Sequence, residues 1–207
     1  MNPTAMGLPG VSFTPGLHIC AFYRGAEQRD ELLLPYLREG LAAGDKCICV
    51  TDDPAAGEAV RALGTEFGVD TTSASAQLQP MDSGSTYLSG GCFAIEKMIG
   101  FWDHTMSAAV VRDGFGFVRA AGEMTWALRG LPGSDLLMAY EAKLNVFLHR
   151  YPQVLLCLYD LTQFANGEIL MEILRTHPTV LVSGQLMENP WYVEPEEYLD
   201  RYAVAGT

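Results

Sequence analysis

The chain sets imidazole and thiol groups at short, regular intervals. His18 and Cys20 lie two residues apart in the run Leu17-His18-Ile19-Cys20-Ala21-Phe22-Tyr23, and Cys47 and Cys49 repeat the spacing in Cys47-Ile48-Cys49-Val50-Thr51. On a β-strand, residues two apart face the same side, so each pair can offer two soft ligands to one surface. One chemistry for them is a metal, haem or redox sensor at His18 and Cys20, completed by Cys47 and Cys49 if the two strands adjoin with like faces converging. The other is structural: thiols packed as small inert hydrophobes and His18 held by hydrogen bonds.

A second group reads as a ligand crevice. Arg119, Glu123 and Trp126 follow an apolar run from Phe115, Tyr23 ends the first run, and Tyr159-Asp160 ends another. Carboxyl ends of parallel strands converge on the usual binding crevice of an α/β sheet, so side chains there are expected to meet, with Arg119 in contact with His18, Tyr23 or Asp160. The structural alternative makes Arg119 and Glu123 an internal ion pair, Trp126 a core residue and Asp160 a turn cap or a partner of Tyr23 or His18. Glu141, on an amphipathic stretch, reads as a salt-bridge partner of Arg119 or Arg129.

A third position is notable for what it lacks. Tyr23-Arg24-Gly25-Ala26-Glu27-Gln28-Arg29-Asp30 stands between a strand and a helix, where a phosphate loop would be. Such a loop needs glycines that turn backbone amides towards the phosphate, with Lys and a hydroxyl beside them. Gly25 is the one glycine of the eight residues, and Glu27 and Asp30 would repel a triphosphate, so no anion nest is expected. Asp52-Asp53-Pro54 reads as a helix cap, with Pro fitting the first helical position. An unconventional nucleotide binder or hydrolase would have to use Arg29, Asp52, Asp53 and Asp160.

These residues need elements to hold them. Short apolar runs alternate with amphipathic stretches from Leu17 onward, the pattern of strands joined by crossover helices. Strands are predicted at 17–23, 47–51, 115–121, 154–160 and 179–182. Helices are predicted from the loop after Tyr23 to about Gly44, from Pro54 to about Phe67, and over 92–111, 134–151 and 166–176, the last stopped by His177-Pro178. The fold class is therefore α/β, a mainly parallel sheet with flanking helices. Residues 1–16, punctuated by Pro and Gly, read as a flexible N-terminal arm or a surface strap, and 17–207 as one domain.

Composition narrows the function classes. With 49% apolar and 18% charged residues the 207-residue chain is globular, and it has no apolar run long enough to span a membrane. The net charge of −12, with 13 scattered Lys and Arg, argues against direct nucleic-acid binding. No secretory signal opens the chain, and its five cysteines fall mostly in apolar runs, so a cytoplasmic protein with reduced thiols is expected.

Several segments in order resemble one family. They are His18 to Tyr23, Gly40-Leu41-Ala42-Ala43-Gly44-Asp45, Arg119 with Gly122-Glu123-Met124-Thr125-Trp126, Tyr140-Glu141 and Cys157-Leu158-Tyr159-Asp160. His177-Pro178, and Glu188-Asn189-Pro190-Trp191-Tyr192 followed by Pro195-Glu196-Glu197, complete the set. From Leu17 to Leu199 the chain resembles the MEDS family of methanogen and methylotroph DcmR-type sensory domains, which resemble RecA and KaiC ATPases without a working phosphate loop. The resemblance implies a three-layer RecA/KaiC-like sandwich and a non-enzymatic sensory role in transcriptional or signal-transduction control, with a small, hydrocarbon-derived ligand. The expected ligand-binding set is His18, Cys20, Tyr23, Arg119, Glu123, Trp126, Tyr159 and Asp160, with no catalytic residue and no cofactor. Output is expected through a partner, a signalling or transcription-regulator protein, and self-association is left open.

Overall fold

The computed structural model describes residues 4–205, with side chains placed as far as Arg201. Its centre is a seven-stranded sheet. In chain order the strands are β3 (His18–Tyr23), β4 (Lys46–Thr51), β5 (Leu78–Asp82), β6 (Val118–Glu123), β7 (Gln153–Asp160), β8 (Thr179–Val182) and β9 (Gln185–Glu188). A separate two-stranded ribbon, β1 (Thr4–Ala5) with β2 (Ser12–Phe13), precedes them. The sheet order is β5-β4-β6-β7-β3-β8-β9, every pair parallel except the β8–β9 hairpin. β4, β6 and β7 are buried along their whole length, which is why their sequences are apolar on both faces.

Six helices cover the sheet among the described residues: α1 (Gly25–Ala43), α2 (Pro54–Phe67), α3 (Ile95–Ser107), α4 (Leu137–Phe147), α5 (Gly167–Thr176) and α6 (Pro195–Ala205). α1 and α2 pack with Ile19, Ala21, Cys47, Cys49 and Leu156 on one face. Trp102 of α3, Leu144 of α4, Ile173 of α5 and Tyr198 of α6 join Cys20, Ile48, Ala120 and Cys157 on the other. The result is the three-layer α/β/α sandwich.

Local chemistry explains the helix ends. Asp53 caps α2, its Oδ1 accepting the Ala55 amide at 3.0 Å with Pro54 at the first position, and Asn166 caps α5 through the Glu168 amide at 2.8 Å. α1 stops at Gly44 in the left-handed region (φ +81°), whose amide reaches back to the last carbonyls.

Two strands go beyond the sequence reading, and the N-terminal segment takes the strap form of its two expected forms rather than the flexible arm. β5 is an addition to the expected strands; it holds Pro80, and as an edge strand of the parallel block it tolerates the missing donor. β9 is a half-exposed edge with little hydrophobic signal. The described part of the expected arm, residues 4–16, is a packed strap: Met6 and Phe13 are buried and the ribbon closes over α1. Residues 1–3 of that arm lie outside the described residues.

Candidate functional site

The carboxyl ends of the strands form two adjoining recesses that share Tyr23. The larger, about 530 Å³, lies over the ends of β3 and β8, with Phe22, Leu32 and Val182 as apolar wall and Arg24, Gln28 and Glu31 as polar rim. The smaller, about 190 Å³, gathers Arg29, Asp52, Asp53, Glu123, Thr125 and Asp160. Arg29, Asp52, Asp53 and Asp160, the residues an unconventional nucleotide binder would have to use, come together here with Tyr23 and Glu123 of the expected ligand set. Their arrangement, however, is inward-looking.

Glu123, at the end of β6, is buried, and its Oε2 accepts the backbone amides of Asp52 at 2.6 Å and Asp53 at 3.1 Å. Its Oε1 meets Arg29 Nη1 at 3.3 Å and accepts from the Tyr23 hydroxyl at 3.4 Å. Burial raises the Glu123 carboxyl above its ordinary range, opposed by those two amides and by Arg29. Arg29 also donates to Asp53 at 2.6 Å and Asp30 at 2.8 Å; burial acts to weaken its proton affinity, but these carboxylates outweigh it and hold it charged. Amides that could face an anion are already taken by a carboxylate of the chain itself.

The turn from β3 to α1 is equally closed. A single residue, Arg24, separates the two elements; its amide donates to Gln28 Oε1 at 2.9 Å, and the Gly25 amide reaches Asp160 Oδ1 at 3.4 Å. Asp160 caps the turn after β7 through the Thr162 amide at 2.9 Å and hydroxyl at 2.8 Å. Burial would raise its carboxyl, but the Thr162 and Gly25 bonds outweigh it and hold it low.

Five of the eight expected ligand-binding residues, His18, Cys20, Arg119, Trp126 and Tyr159, line neither recess. Arg119 begins β6 and lies against α1 at the opposite end of the strand from Glu123, about four residues or 13 Å away. Its Nε donates to Asp45 at 2.8 Å and its Nη1 to the Ala5 carbonyl at 2.9 Å, so it does not contact His18, Tyr23 or Asp160 and is removed from the ligand set. Gly40 makes room for it, since a Cβ there would stand 2.7 Å from Arg119 Cδ. Trp126 is fully buried, stacked on Tyr87 at 4.9 Å and 12° and against Phe93 at 4.6 Å, a core position away from both recesses.

His18 and Cys20 lie on the α4 side of the sheet, whereas Cys47 and Cys49 lie on the α1–α2 side with β6 and β7 intervening. The four-residue metal site built from both pairs is therefore ruled out by strand order and facing.

His18 instead belongs to a cluster at the heart of the other layer. Its Nε2 stands 3.1 Å from Glu141 Oε2 and 3.3 Å from Cys157 Sγ; His177 Nε2 stands 3.5 Å from the same Glu141 oxygen. Cys157 Sγ is 3.6 Å from Glu141 Oε2, and Tyr159 donates to Glu141 Oε1 at 2.6 Å. All are buried, with side-chain exposure of 0% for His18, Glu141 and His177. Glu141 thus pairs with imidazoles rather than with Arg119 or Arg129. Burial acts to raise its carboxyl, but His177, His18 and Tyr159 outweigh that and hold it below the usual range. Burial, with His18 alongside, pushes the His177 imidazole down to about 3, and burial beside Glu141 pushes the Cys157 thiol well up.

Sequence reasoning missed Glu141, Cys157 and His177 as partners of His18. They come from α4, β7 and the α5–β8 junction, with no shared spacing to flag them. The available signal was chemical: ionisable side chains set within otherwise apolar, buried segments.

The sequence profile of the family described as MEthanogen/methylotroph, DcmR Sensory domain (MEDS) matches residues 17–178. The transcriptional repressor DcmR of Methylorubrum extorquens is 30% identical over 177 residues, covering 85% of this chain. The chain spans 63% of that relative's length. Among crystal structures, a KaiC-like protein from the hyperthermophilic archaeon Pyrococcus horikoshii superimposes with a TM-score of 0.58 at 15% identity, over 87% of this chain and 80% of that one. That likeness is one of fold.

Proposed function

The chain belongs to the MEDS sensory domain family, and on that premise we propose that it is a non-enzymatic receptor domain. It binds a small, hydrocarbon-derived molecule in the recess over β3 and β8 and relays occupancy to a partner protein in transcriptional control. The family and the repressor relative support a regulatory, sensory role. The observation that carries the choice of site is the recess of about 530 Å³, whose apolar wall of Phe22, Leu32 and Val182 is rimmed by Arg24, Gln28 and Glu31. A cavity of that size at strand carboxyl ends, lined in comparable parts by apolar and polar groups, suits a small organic ligand.

A nucleotide fits less well. The adjoining recess presents Asp52, Asp53, Glu123 and Asp160 against Arg29, and Glu123 already holds its amides. The same chemistry supports reading the β3–α1 turn as a degenerate phosphate loop, because its first two amides are engaged by the Gln28 and Asp160 side chains.

Thermal unfolding with a panel of short-chain alcohols, amines and haloalkanes, set against millimolar Mg·ATP, tests the proposal. A ligand at a hundredfold over its Kd adds about 2.7 kcal/mol, and at about 2–4 °C per kcal/mol the melting temperature rises on the order of 5–10 °C. Val182→Trp, which plugs the recess, should abolish the response. A saturable shift with Mg·ATP and none with organic compounds refutes the reading, and a response that survives the plug moves the site elsewhere.

A further inference from the structure

We propose that His18, Glu141, Cys157 and His177 are the ligands of a buried divalent transition-metal ion of the zinc class. One donor atom from each lies within 4.8 Å of all the others. A tetrahedral centre with metal–nitrogen bonds of about 2.0–2.1 Å and a metal–sulfur bond of about 2.3 Å has edges of about 3.3–3.6 Å. Four of the six edges of this cluster measure 3.1, 3.3, 3.5 and 3.6 Å. Along these four edges the side chains stand close to the spacing that coordination demands.

Tautomers point the same way. The Ile173 carbonyl, 2.8 Å from His177 Nδ1, can only accept, so Nδ1 carries the proton and Nε2 a lone pair. That Nε2 is buried without a hydrogen-bond partner. Asn145 spends its amide protons on the Thr176 carbonyl at 2.8 Å and the Glu141 carbonyl at 3.2 Å, which turns its Oδ1 to His18 Nδ1 at 3.1 Å. His18 Nε2 is then also a lone-pair donor facing inward. Two imidazole nitrogens, a carboxylate oxygen and a sulfur converge, and the Cys157 thiol can supply one proton among them. One cation satisfies all four.

Charge balances as well. A dication with one thiolate, one carboxylate and two neutral imidazoles is net neutral, the condition for stability in a site without solvent. Two nitrogens, one sulfur and one oxygen select zinc-like ions over magnesium or calcium, and four protein ligands close the coordination sphere in the manner of structural zinc. The hydrogen bonds from both Nδ1 atoms and from Tyr159 to Glu141 supply the outer shell that orients such ligands. Bound there, the ion ties β3 and β7 to α4 and to the start of β8.

Metal analysis of the freshly purified chain, with cobalt titration of chelator-stripped protein, decides the matter. The expected result is about one zinc-class ion per chain. Stripping should lower the melting temperature and Zn²⁺ should restore it, while Co²⁺ should give tetrahedral visible bands with a thiolate charge-transfer band. Cys157→Ser should lose that charge-transfer band, and Asn145→Ala, outside the ligand set, should weaken cobalt binding by about 10–100-fold. Absence of metal in the purified chain together with no saturable Zn²⁺ or Co²⁺ binding by the stripped wild type overturns the site. So does a charge-transfer band unchanged in Cys157→Ser. The wild-type titration stands even if a variant fails to fold.

Discussion

Arg119→Met removes a fully buried cation on the α1 side of the sheet. The guanidinium is fully buried, pairs with Asp45 at 2.8 Å, donates to the Ala5 carbonyl at 2.9 Å and lies 5.3 Å from the Phe13 ring and 5.6 Å from Tyr36. Met fills similar volume, so cavity terms are small and the loss is mainly electrostatic. Asp45, with a side chain only 12% exposed, is left without its partner. Breaking a buried pair by deleting one member costs about 3–5 kcal/mol. At about 2–4 °C per kcal/mol, the melting temperature should fall on the order of 6–20 °C. Asp45→Leu on the Arg119→Met background should recover part of that loss, because the orphaned carboxylate goes with it. Equilibrium denaturation measures the cost, and limited proteolysis within residues 4–16 reports release of the strap that Arg119 holds through Ala5. A cost below about 1 kcal/mol, or an altered small-molecule response at unchanged stability, refutes the structural assignment of Arg119.

Trp126→Ala should cost about 3–5 kcal/mol by denaturant melt, whereas Trp126→Phe should cost less than half as much. Trp126 is packed between Tyr87 and Phe93 and its Nε1 makes no hydrogen bond to lose; equal costs for the two variants would contradict this. Burial lowers Lys46 to about 8, although its Nζ donates to the Ala74 carbonyl at 2.7 Å. Between about pH 8 and the ordinary lysine value near 10.4 the unfolded chain binds the extra proton, so wild-type stability should rise with pH relative to Lys46→Met. Parallel denaturation curves for the two proteins across that window would count against a depressed Lys46.

What the sequence by itself determined was local or periodic. Runs apolar on both faces specified buried parallel strands, and Asp53-Pro54 and Asn166 specified helix starts. The strand limits came close: 179–182 was read as it stands, and β4 begins one residue earlier, at Lys46. The fold class followed because alternation of such segments leaves few ways to pair them. What only the tertiary structure decided was which faces and ends meet. Arg119 and Glu123 share strand parity, so spacing put them on one side, but four residues of extended chain carry them to opposite ends of β6. His18 and Cys47 looked like neighbours in a metal site until β6 and β7 came between their strands. Glu141, Cys157 and His177 looked like a helix acid, a packed thiol and a helix stop. Side-chain parity is a short-range property of the backbone, but strand order and helix placement come from burying the whole apolar surface at once. Residues far apart in sequence can therefore converge on one point without any local pattern to mark them.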